Sequence, residues 1–138
     1  MRFVDTNVLL YAVSKTPAEQ EKALIALDIL QGHDLALSVQ VLQEFYVQAT
    51  RKSKADRITH EQAAALVEAY LRFTVQETTV ALMQAALETK ERFRVSYWDA
   101  AVIEAARALS CDTVLTEDLN HGQRYDGVKV ENPFRPLS

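Results

Sequence analysis

The spacing of apolar and polar residues along the chain predicts short strands separated by amphipathic helices. Residues 2–4 form the first predicted strand, which starts almost at the amino terminus and ends at Asp5. Thr6 or Asn7 can then cap a helix through residues 8–13, because Ser, Thr, Asp and Asn side chains accept hydrogen bonds from the first free backbone N–H groups of a helix. The chain therefore opens with a strand followed directly by a helix.

The same order recurs towards the carboxyl terminus. Apolar residues at helical spacing and nearby capping residues, such as Ser38 and the Thr59-x-x-Gln62 capping-box pattern, mark the helices, and Gly32 marks the end of one of them. The predicted helices cover 18–30, 39–50, 59–71, 79–92 and 96–109, and the further predicted strands cover 34–37, 73–76, 113–115 and 128–130.

This alternation predicts an α/β fold with a parallel sheet covered by helices on both faces. The 138 residues fit one domain, and with only three prolines, three glycines and no repeat the chain shows no linker between two domains. We therefore expect a single domain over residues 1–138.

Composition narrows the function classes. The net charge of −4 is unlike that of a typical nucleic-acid-binding domain, which is more often basic, so any phosphate ligand requires something that offsets the carboxylates. The single cysteine, Cys111, cannot form an internal disulfide and reads as core filling, which favours a reducing compartment. No apolar run is long enough to cross a membrane, and Asp5 interrupts the first apolar stretch too early for a signal peptide, so we expect a cytoplasmic protein.

Two acids follow predicted strands. Asp5 follows the first strand and Asp118 follows a late one, so both belong to the edge where the carboxyl ends of parallel strands meet and where ligands bind in such sheets. Either acid alone could equally serve a turn or a helix cap. Asp99 lies three residues after Ser96, which makes it either the acidic partner of a helix cap or a third group aimed at that edge.

Other polar residues carry weaker signals. A helical wheel puts Glu44 opposite the apolar stripe of its helix and predicts that it is solvated, and the three histidines lie at no ligand spacing. The basic residues of a loop could contact a phosphate backbone or form an ordinary solvated face; they are Arg51, Lys52, Lys54 and Arg57. Neither a Walker-type loop nor a Gly-x-Gly-x-x-Gly fingerprint is present.

Together these segments resemble a known family. The ordered set is Phe3-Val4-Asp5-Thr6-Asn7, then Val41-Leu42-Gln43-Glu44-Phe45, then Ser96-Tyr97-Trp98-Asp99-Ala100-Ala101, then Leu115-Thr116-Glu117-Asp118-Leu119. The chain resembles a PIN-domain ribonuclease of the VapC toxin type from residue 2 to Glu131-Asn132-Pro133-Phe134. The resemblance implies a three-layer α/β/α sandwich around a short parallel sheet.

The resemblance also implies a site and partners. By carry-over, Asp5, Asp99 and Asp118 are metal ligands, and Glu44 completes a catalytic acidic quartet. Asn7 and Thr116 are supporting polar residues. The implied activity is Mg²⁺- or Mn²⁺-dependent endoribonuclease cleavage by a toxin that pairs with a small antitoxin and often forms a homodimer.

Elementary chemistry agrees with this implication. Crowded carboxylates repel one another, and some are protonated near neutral pH unless a divalent cation neutralises them. Oxygen ligands suit magnesium, and a bound ion can activate water to attack phosphorus and leave a 5′ phosphate and a 3′ hydroxyl. The basic loop, with Arg94 or Arg124, could then hold flanking phosphates of single-stranded or looped RNA.

Two other interpretations remain. A phosphoacceptor or phosphatase of the haloacid-dehalogenase type also places an Asp after the first strand, but it needs a second Asp where this chain has Asn7. A catalytically silent PIN-like binding module, whose acidic edge docks a partner protein, needs no catalysis. Metal-dependent cleavage of RNA separates the enzyme from the module.

Overall fold

A computed structural model describes residues 1–136 and contains one six-stranded sheet. The strands are β1 (Arg2–Val4), β2 (Leu35–Ser38), β3 (Thr74–Gln76), β4 (Thr113–Leu115), β5 (Arg124–Tyr125) and β6 (Val128–Glu131). Their order across the sheet is β3-β2-β1-β4-β6-β5. β1 pairs in parallel with both β2 and β4, and the parallel pairing continues to β3 on one side and to β6 on the other. The predicted alternation of strands and helices is confirmed.

Among residues 1–136, six α-helices connect and cover the strands. They are α1 (Thr6–Ala12), α2 (Gln20–Leu30), α3 (Val39–Ala49), α4 (His60–Tyr70), α5 (Val80–Phe93) and α6 (Tyr97–Ala108). α1 packs on α2 and α3, α3 packs on α4, and α5 packs on α6. α6 also contacts the sheet, at β2, β3, β4 and β6. This is the layering of an α/β sandwich. Within residues 1–136, every helix is too short or too polar to span a lipid bilayer.

The helix starts follow local capping chemistry. The side chains of Ser38, Thr59, Thr79 and Ser96 each accept a hydrogen bond from a backbone N–H in the first turn of the helix that follows, and Thr59 forms the predicted capping box with Gln62. These hydrogen bonds explain why the sequence located the helix starts within one or two residues.

The start of α1 differs from the prediction. Asp5, rather than Thr6 or Asn7, is the capping residue: its backbone is extended, and its side chain accepts a hydrogen bond from the backbone N–H of Thr6 at 2.7 Å. The strand continues in extended conformation up to Asp5, and the helix begins at Thr6, two residues earlier than expected. A 3₁₀ turn at Pro17–Glu19 similarly takes the place of the first residues of the predicted helix 18–30.

The sheet is mixed rather than wholly parallel. Among the residues described, β5, a strand that the sequence pattern did not predict, runs antiparallel to β6, so the sheet predicted as parallel is mixed at this edge. Asp126 and Gly127 connect the two strands with φ angles of 50° and 88°, the backbone that a two-residue hairpin turn requires. The Asp-Gly pair in the sequence was therefore a signal for a hairpin turn. The hydrophobic pattern did not reveal the strand before it, because β5 has only two residues.

The core lies on both sides of the central strands. Phe3 of β1, Leu37 of β2, Phe45 of α3 and Ile103 of α6 are fully buried in one continuous apolar cluster. Cys111 belongs to the same cluster, which confirms that it fills the core. Burial of this apolar surface is the main force that holds the sheet between its helices.

The strand order brings the carboxyl ends of β1 and β4 next to each other. β1 sits between β2 and β4, so the connections from β1 and β4 leave the sheet beside each other at the carboxyl ends of the strands. Such a reversal of strand order opens a crevice in α/β sheets, and ligands bind there. The strand order therefore predicts a ligand site at the carboxyl ends of β1 and β4.

Candidate active site

Asp5 occupies the end of β1, beside the end of β4. Val4 pairs with Leu115, and the backbone N–H of Asp5 donates to the carbonyl of Leu115 at 3.1 Å, so the two strands end in register. Residues that follow β4 therefore lie next to Asp5, although more than a hundred positions separate them in the chain.

Thr116 joins the two strand ends through its hydroxyl group. Its Oγ1 accepts hydrogen bonds from Asn7 Nδ2 at 3.0 Å and from the backbone N–H of Asp118 at 3.0 Å, and it donates to Asp5 Oδ2 at 2.8 Å. Because both N–H groups can only donate, the single hydroxyl proton is directed to Asp5. Thr116 is fully buried, so this arrangement is fixed by its surroundings.

Asn7 extends the network to Asp118. Its Nδ2 also donates to Asp118 Oδ2 at 3.1 Å, and its Oδ1 accepts from the backbone N–H of Glu117 at 3.4 Å. Asn7 thus spans the space between the start of α1 and the loop after β4. The two residues predicted as supporting, Asn7 and Thr116, are the ones that connect Asp5 to Asp118.

Glu44 reaches the same place from α3. Its Oε2 accepts from Thr6 Oγ1 at 3.1 Å and its Oε1 accepts from Gln40 Nε2 at 3.1 Å. Glu44 is half-buried, so the helical-wheel prediction of a solvated residue is wrong. The wheel recorded only the apolar stripe, whereas the side of α3 that carries Glu44 faces the polar start of α1.

Asp99 approaches the cleft from the first turn of α6. Its backbone N–H donates to the Ser96 side chain at 3.0 Å, which caps the helix. Its half-buried carboxyl group meanwhile lines the same space as the other acids. The Asp99 carboxyl group therefore lies beside the cap residue Ser96, whose hydrogen bond acts to lower its pKa against the raising effect of burial, and also borders the cleft, so its position is compatible with both interpretations.

One cleft of about 470 Å³ contains all four acids. Asp5, Glu44, Asp99 and Asp118 line it together with Asn7 and other residues of α1, α3 and α6. Burial raises the pKa of Asp5 to about 7, against the lowering effect of the hydrogen bonds from Thr6 and Thr116, and the negative charges of Asp118 and Glu44 raise it further. Burial also raises the pKa of Asp99, with Asp118 and Glu44 acting in the same direction. The negative charges of Asp118 and Glu44 therefore act on both Asp5 and Asp99.

The basic loop contributes one of its four basic residues to this cleft. Lys54 lines it, whereas Arg51, Lys52 and Arg57 are exposed outside the set of described lining residues, as are Arg94 and Arg124. Arg57 instead donates to the backbone carbonyl of Lys52. Of the predicted phosphate-contacting residues, the structure thus brings Lys54 to the acids.

Asp56 holds that loop in place, a role that the sequence analysis missed. Its Oδ2 accepts from the backbone N–H of Lys15 at 3.0 Å and from Thr16 Oγ1 at 3.1 Å, and it lies 3.4 Å from Ser14 Oγ, whose hydroxyl group donates to Glu19 at 2.6 Å. The hydrogen bond from Lys15 lowers the pKa of Asp56. An acid inside a basic run was a signal of such an anchor, but its partners lie about forty residues away, on the loop after α1.

A second group missed from sequence centres on Glu117, which also lines the cleft. Glu117 accepts from the Tyr11 hydroxyl group and forms an ion pair with Lys22 at 3.1 Å. Lys22 also lies over the rings of Tyr11 and Phe134, at 4.9 and 5.8 Å from their centroids. This pairing neutralises Glu117 and so distinguishes it from the four acids of the cleft.

Comparison with known families decides the affiliation. The family model described as "PIN domain" matches residues 2–126. The chain belongs to the PIN domain family. No curated protein sequence matches this PIN chain.

Solved structures share the PIN fold at low sequence identity. VapC20 of Mycobacterium tuberculosis, described as a sarcin-ricin loop cleaving toxin, is 20% identical with a TM-score of 0.66, over 86% of this chain and 90% of that chain. A toxin-antitoxin complex from Klebsiella pneumoniae gives 16% identity and a TM-score of 0.69, over 96% and 98% of the two chains. VapBC2 from Rickettsia felis, solved with a bound promoter DNA fragment, gives 20% identity and a TM-score of 0.65, over 95% of this chain and 97% of that chain. These likenesses confirm the predicted sandwich.

The chemistry of the donor set fits a hard divalent cation. Residues 1–136 include no three acid, histidine or cysteine side chains already close enough to form a ready-made metal site. Mg²⁺ does not require one, because it keeps several waters and commonly binds through one or two carboxylates. Asp118 and Glu44 place negative charge near Asp5, and a bound cation would offset that charge.

Proposed function

We propose that this PIN chain is a Mg²⁺- or Mn²⁺-dependent endoribonuclease and acts as the toxin of a toxin-antitoxin pair. The observation that carries the proposal is the convergence of four acids from β1, α3, α6 and the loop after β4 on one cleft. Family membership supports it, because the same acids carry the resemblance in sequence.

Asp5, Asp99 and Asp118 would hold the metal, with Glu44 as the fourth catalytic acid. A bound divalent ion supplies positive charge, which activates water for attack on phosphorus and offsets the charge of the phosphodiester. The pKa of Asp5, raised to about 7 by burial, means that cation and proton compete for this carboxylate near neutral pH. Cleavage should therefore increase with pH through this range.

The remaining polar residues orient the carboxylates. Thr116 donates a hydrogen bond to Asp5 Oδ2, the backbone N–H of Thr6 donates to Asp5 Oδ1, and Asn7 donates to Asp118 Oδ2, so hydrogen bonds fix the orientation of both carboxyl groups. Glu44 is likewise oriented by Thr6 and Gln40. Carboxylates held in this way lose little conformational entropy when they bind an ion.

The substrate assignment rests on charge and on the neighbours in fold. Lys54, held near the acids by the Asp56 anchor, is placed to contact an RNA phosphate, and Arg51, Lys52 and Arg57 extend positive charge along the same loop. One neighbour is described as cleaving the sarcin-ricin loop, which is RNA. We infer an RNA substrate from these two observations.

The partner assignment follows the same neighbours. Toxin-antitoxin complexes are among the structures that share the fold, so we propose a small antitoxin protein as the partner and a cytoplasmic setting for both. Exposed apolar side chains at helical spacing on α5 offer a surface for a second copy of the chain; they are Val80, Met83 and Leu87. A homodimer would bury them.

Cleavage of total cellular RNA tests the proposal directly. Purified protein should cut RNA with Mg²⁺ or Mn²⁺, leave 5′ phosphates, and lose activity with a chelator. Asp5→Asn and Asp99→Asn should each abolish cleavage while the far-ultraviolet circular dichroism stays that of the wild type. Glu68→Gln, which removes an exposed acid from α4, is the matched control and should cleave normally.

Unchanged cleavage by both site variants would refute this site. A wild-type protein that binds a partner protein but cleaves no RNA with either metal would instead favour the catalytically silent binding module. Ion binding by the wild type, measured by calorimetry, adds a readout that does not depend on the choice of RNA.

A further inference from the structure

Trp98 stands at the edge of the acidic cleft with most of its surface in solvent. It lies in the first turn of α6, directly before Asp99, and its side chain helps to line the cleft. Its exposed fraction is 61%, although an indole group is one of the largest apolar side chains. No hydrogen bond or acid in the proposed reaction uses it, so its exposure next to the acids needs another explanation.

The local structure holds the indole in position. Ser96 caps α6 through the backbone N–H of Asp99, which fixes the first turn of the helix. Tyr97 is half-buried, and its ring meets the indole edge to face with centroids 5.0 Å apart. A rigid helix end and one aromatic neighbour therefore present the indole, while most of its surface remains free for a ligand.

The charge of the cleft selects the kind of ligand. Apart from the four acids, Glu19 and Asp56 also line it, Glu117 lines it in an ion pair with Lys22, and Lys54 is the one Lys or Arg among its described lining residues. Phosphate contacts alone would bind RNA poorly against this charge. The face of a nucleic-acid base is uncharged, and stacking on an aromatic ring provides binding energy that needs no positive charge.

We propose that Trp98 stacks on an unpaired base of the RNA strand beside the phosphate that is cleaved. This inference rests on the proposed ribonuclease function and adds a substrate-positioning residue to it. It restricts the substrate to single-stranded or looped RNA at that position, because a paired base in a duplex has no free face. Trp98 binds the base and takes no part in proton transfer.

Fluorescence provides a direct test, because Trp98 is the one tryptophan of the 138 residues. Single-stranded RNA oligonucleotides are titrated into wild-type protein with a chelator, so that binding is observed without cleavage. We expect quenching of the indole fluorescence that follows the binding curve measured by anisotropy of labelled RNA. Duplex RNA of the same sequence should bind more weakly and quench less. Binding of the single strand without quenching would overturn the inference.

Substitution separates stacking from a structural role. Trp98→Ala and Trp98→Leu should each raise KM for single-stranded RNA about tenfold, with a smaller effect on kcat, because a stacked base contributes that much binding. Trp98→Phe, which keeps an aromatic face, should restore most of the affinity. Leu24→Ala on α2, which removes an equally exposed apolar side chain away from the cleft, should leave KM unchanged.

The possible outcomes separate this inference from the proposed function. If the wild type cleaves RNA and Trp98→Ala has the same KM, the stacking inference fails while the ribonuclease stands. If the wild type shows stacking-dependent quenching but no cleavage, the inference stands and the ribonuclease fails. If Trp98→Ala binds RNA normally but loses a protein partner, the indole belongs to a protein interface and the inference is wrong.

Discussion

The buried carboxyl group of Asp5 makes a quantitative prediction about stability and pH. Burial raises its pKa from an ordinary value of 3.8 to about 7, and Asp5 is only 5% exposed. Each pKa unit corresponds to about 1.4 kcal/mol, so ionised Asp5 destabilises the folded, metal-free protein by about 4 kcal/mol above pH 7. The folded state binds the proton more tightly than the unfolded state, so this cost is absent below the unfolded pKa and grows as the pH rises to about 7.

Asp5→Asn removes this cost because the amide cannot ionise. The variant also loses a good acceptor for the Thr116 hydroxyl, which costs about 1–3 kcal/mol at every pH. We therefore expect the variant to be less stable than wild type near pH 4 and more stable near pH 8. The difference in free energy of unfolding should change by about 4 kcal/mol between the two.

Urea unfolding in the presence of a chelator, followed by circular dichroism at a series of pH values, measures this difference. Glu68→Gln controls for the loss of one negative charge at an exposed position. Curves for wild type and Asp5→Asn that stay parallel from about pH 4 to about pH 8 would refute the argument that burial governs this carboxyl group. Adding Mg²⁺ near pH 8 should then stabilise the wild type and not the variant, because ligand binding to the folded state alone raises its stability.

Three further substitutions test the supporting structure. Thr116→Val removes a fully buried hydroxyl with three hydrogen bonds, so the free energy of unfolding in urea should fall by about 1–3 kcal/mol, and retention of wild-type stability would contradict the network. Asp56→Ala releases the loop that carries Lys54, so limited proteolysis should cut residues 50–58 faster than in wild type; an equal rate would mean that the anchor is not needed. Thr59→Ala loses a helix cap and should cost about 1 kcal/mol, measured by thermal unfolding, with no change in cleavage.

The sequence was most informative where a short stretch controls its own conformation. The capping box of Thr59 and Gln62 and the caps at Ser38 and Ser96 need only residues within one turn, so the helix starts were predictable. The strand β5 was missed because two residues are too few to show the alternation of apolar and polar positions that marks a strand. Asp126 and Gly127 nevertheless gave the signal for its turn.

Some acids of the candidate site were likewise predictable from local sequence, and one was not. Asp5 and Asp118 were found by reasoning about strand ends, because parallel strands deliver their following residues to one edge. Glu44 could not be found by periodicity: a wheel detects which side of α3 is apolar, and the polar neighbours Thr6 and Gln40 that surround Glu44 come partly from another helix. Family resemblance supplied that residue.

The chain by itself thus determined the strand and helix segments, their α/β alternation and the presence of acids after the first and a late strand, because hydrophobic period and capping act over a few neighbouring residues. Only the tertiary structure decided that the Thr116 hydroxyl group donates a hydrogen bond to Asp5, that Lys54 and Trp98 border the acids, and that Glu117 forms an ion pair with Lys22. These relations join residues far apart in sequence, and they depend on strand order and helix packing, which no local pattern encodes.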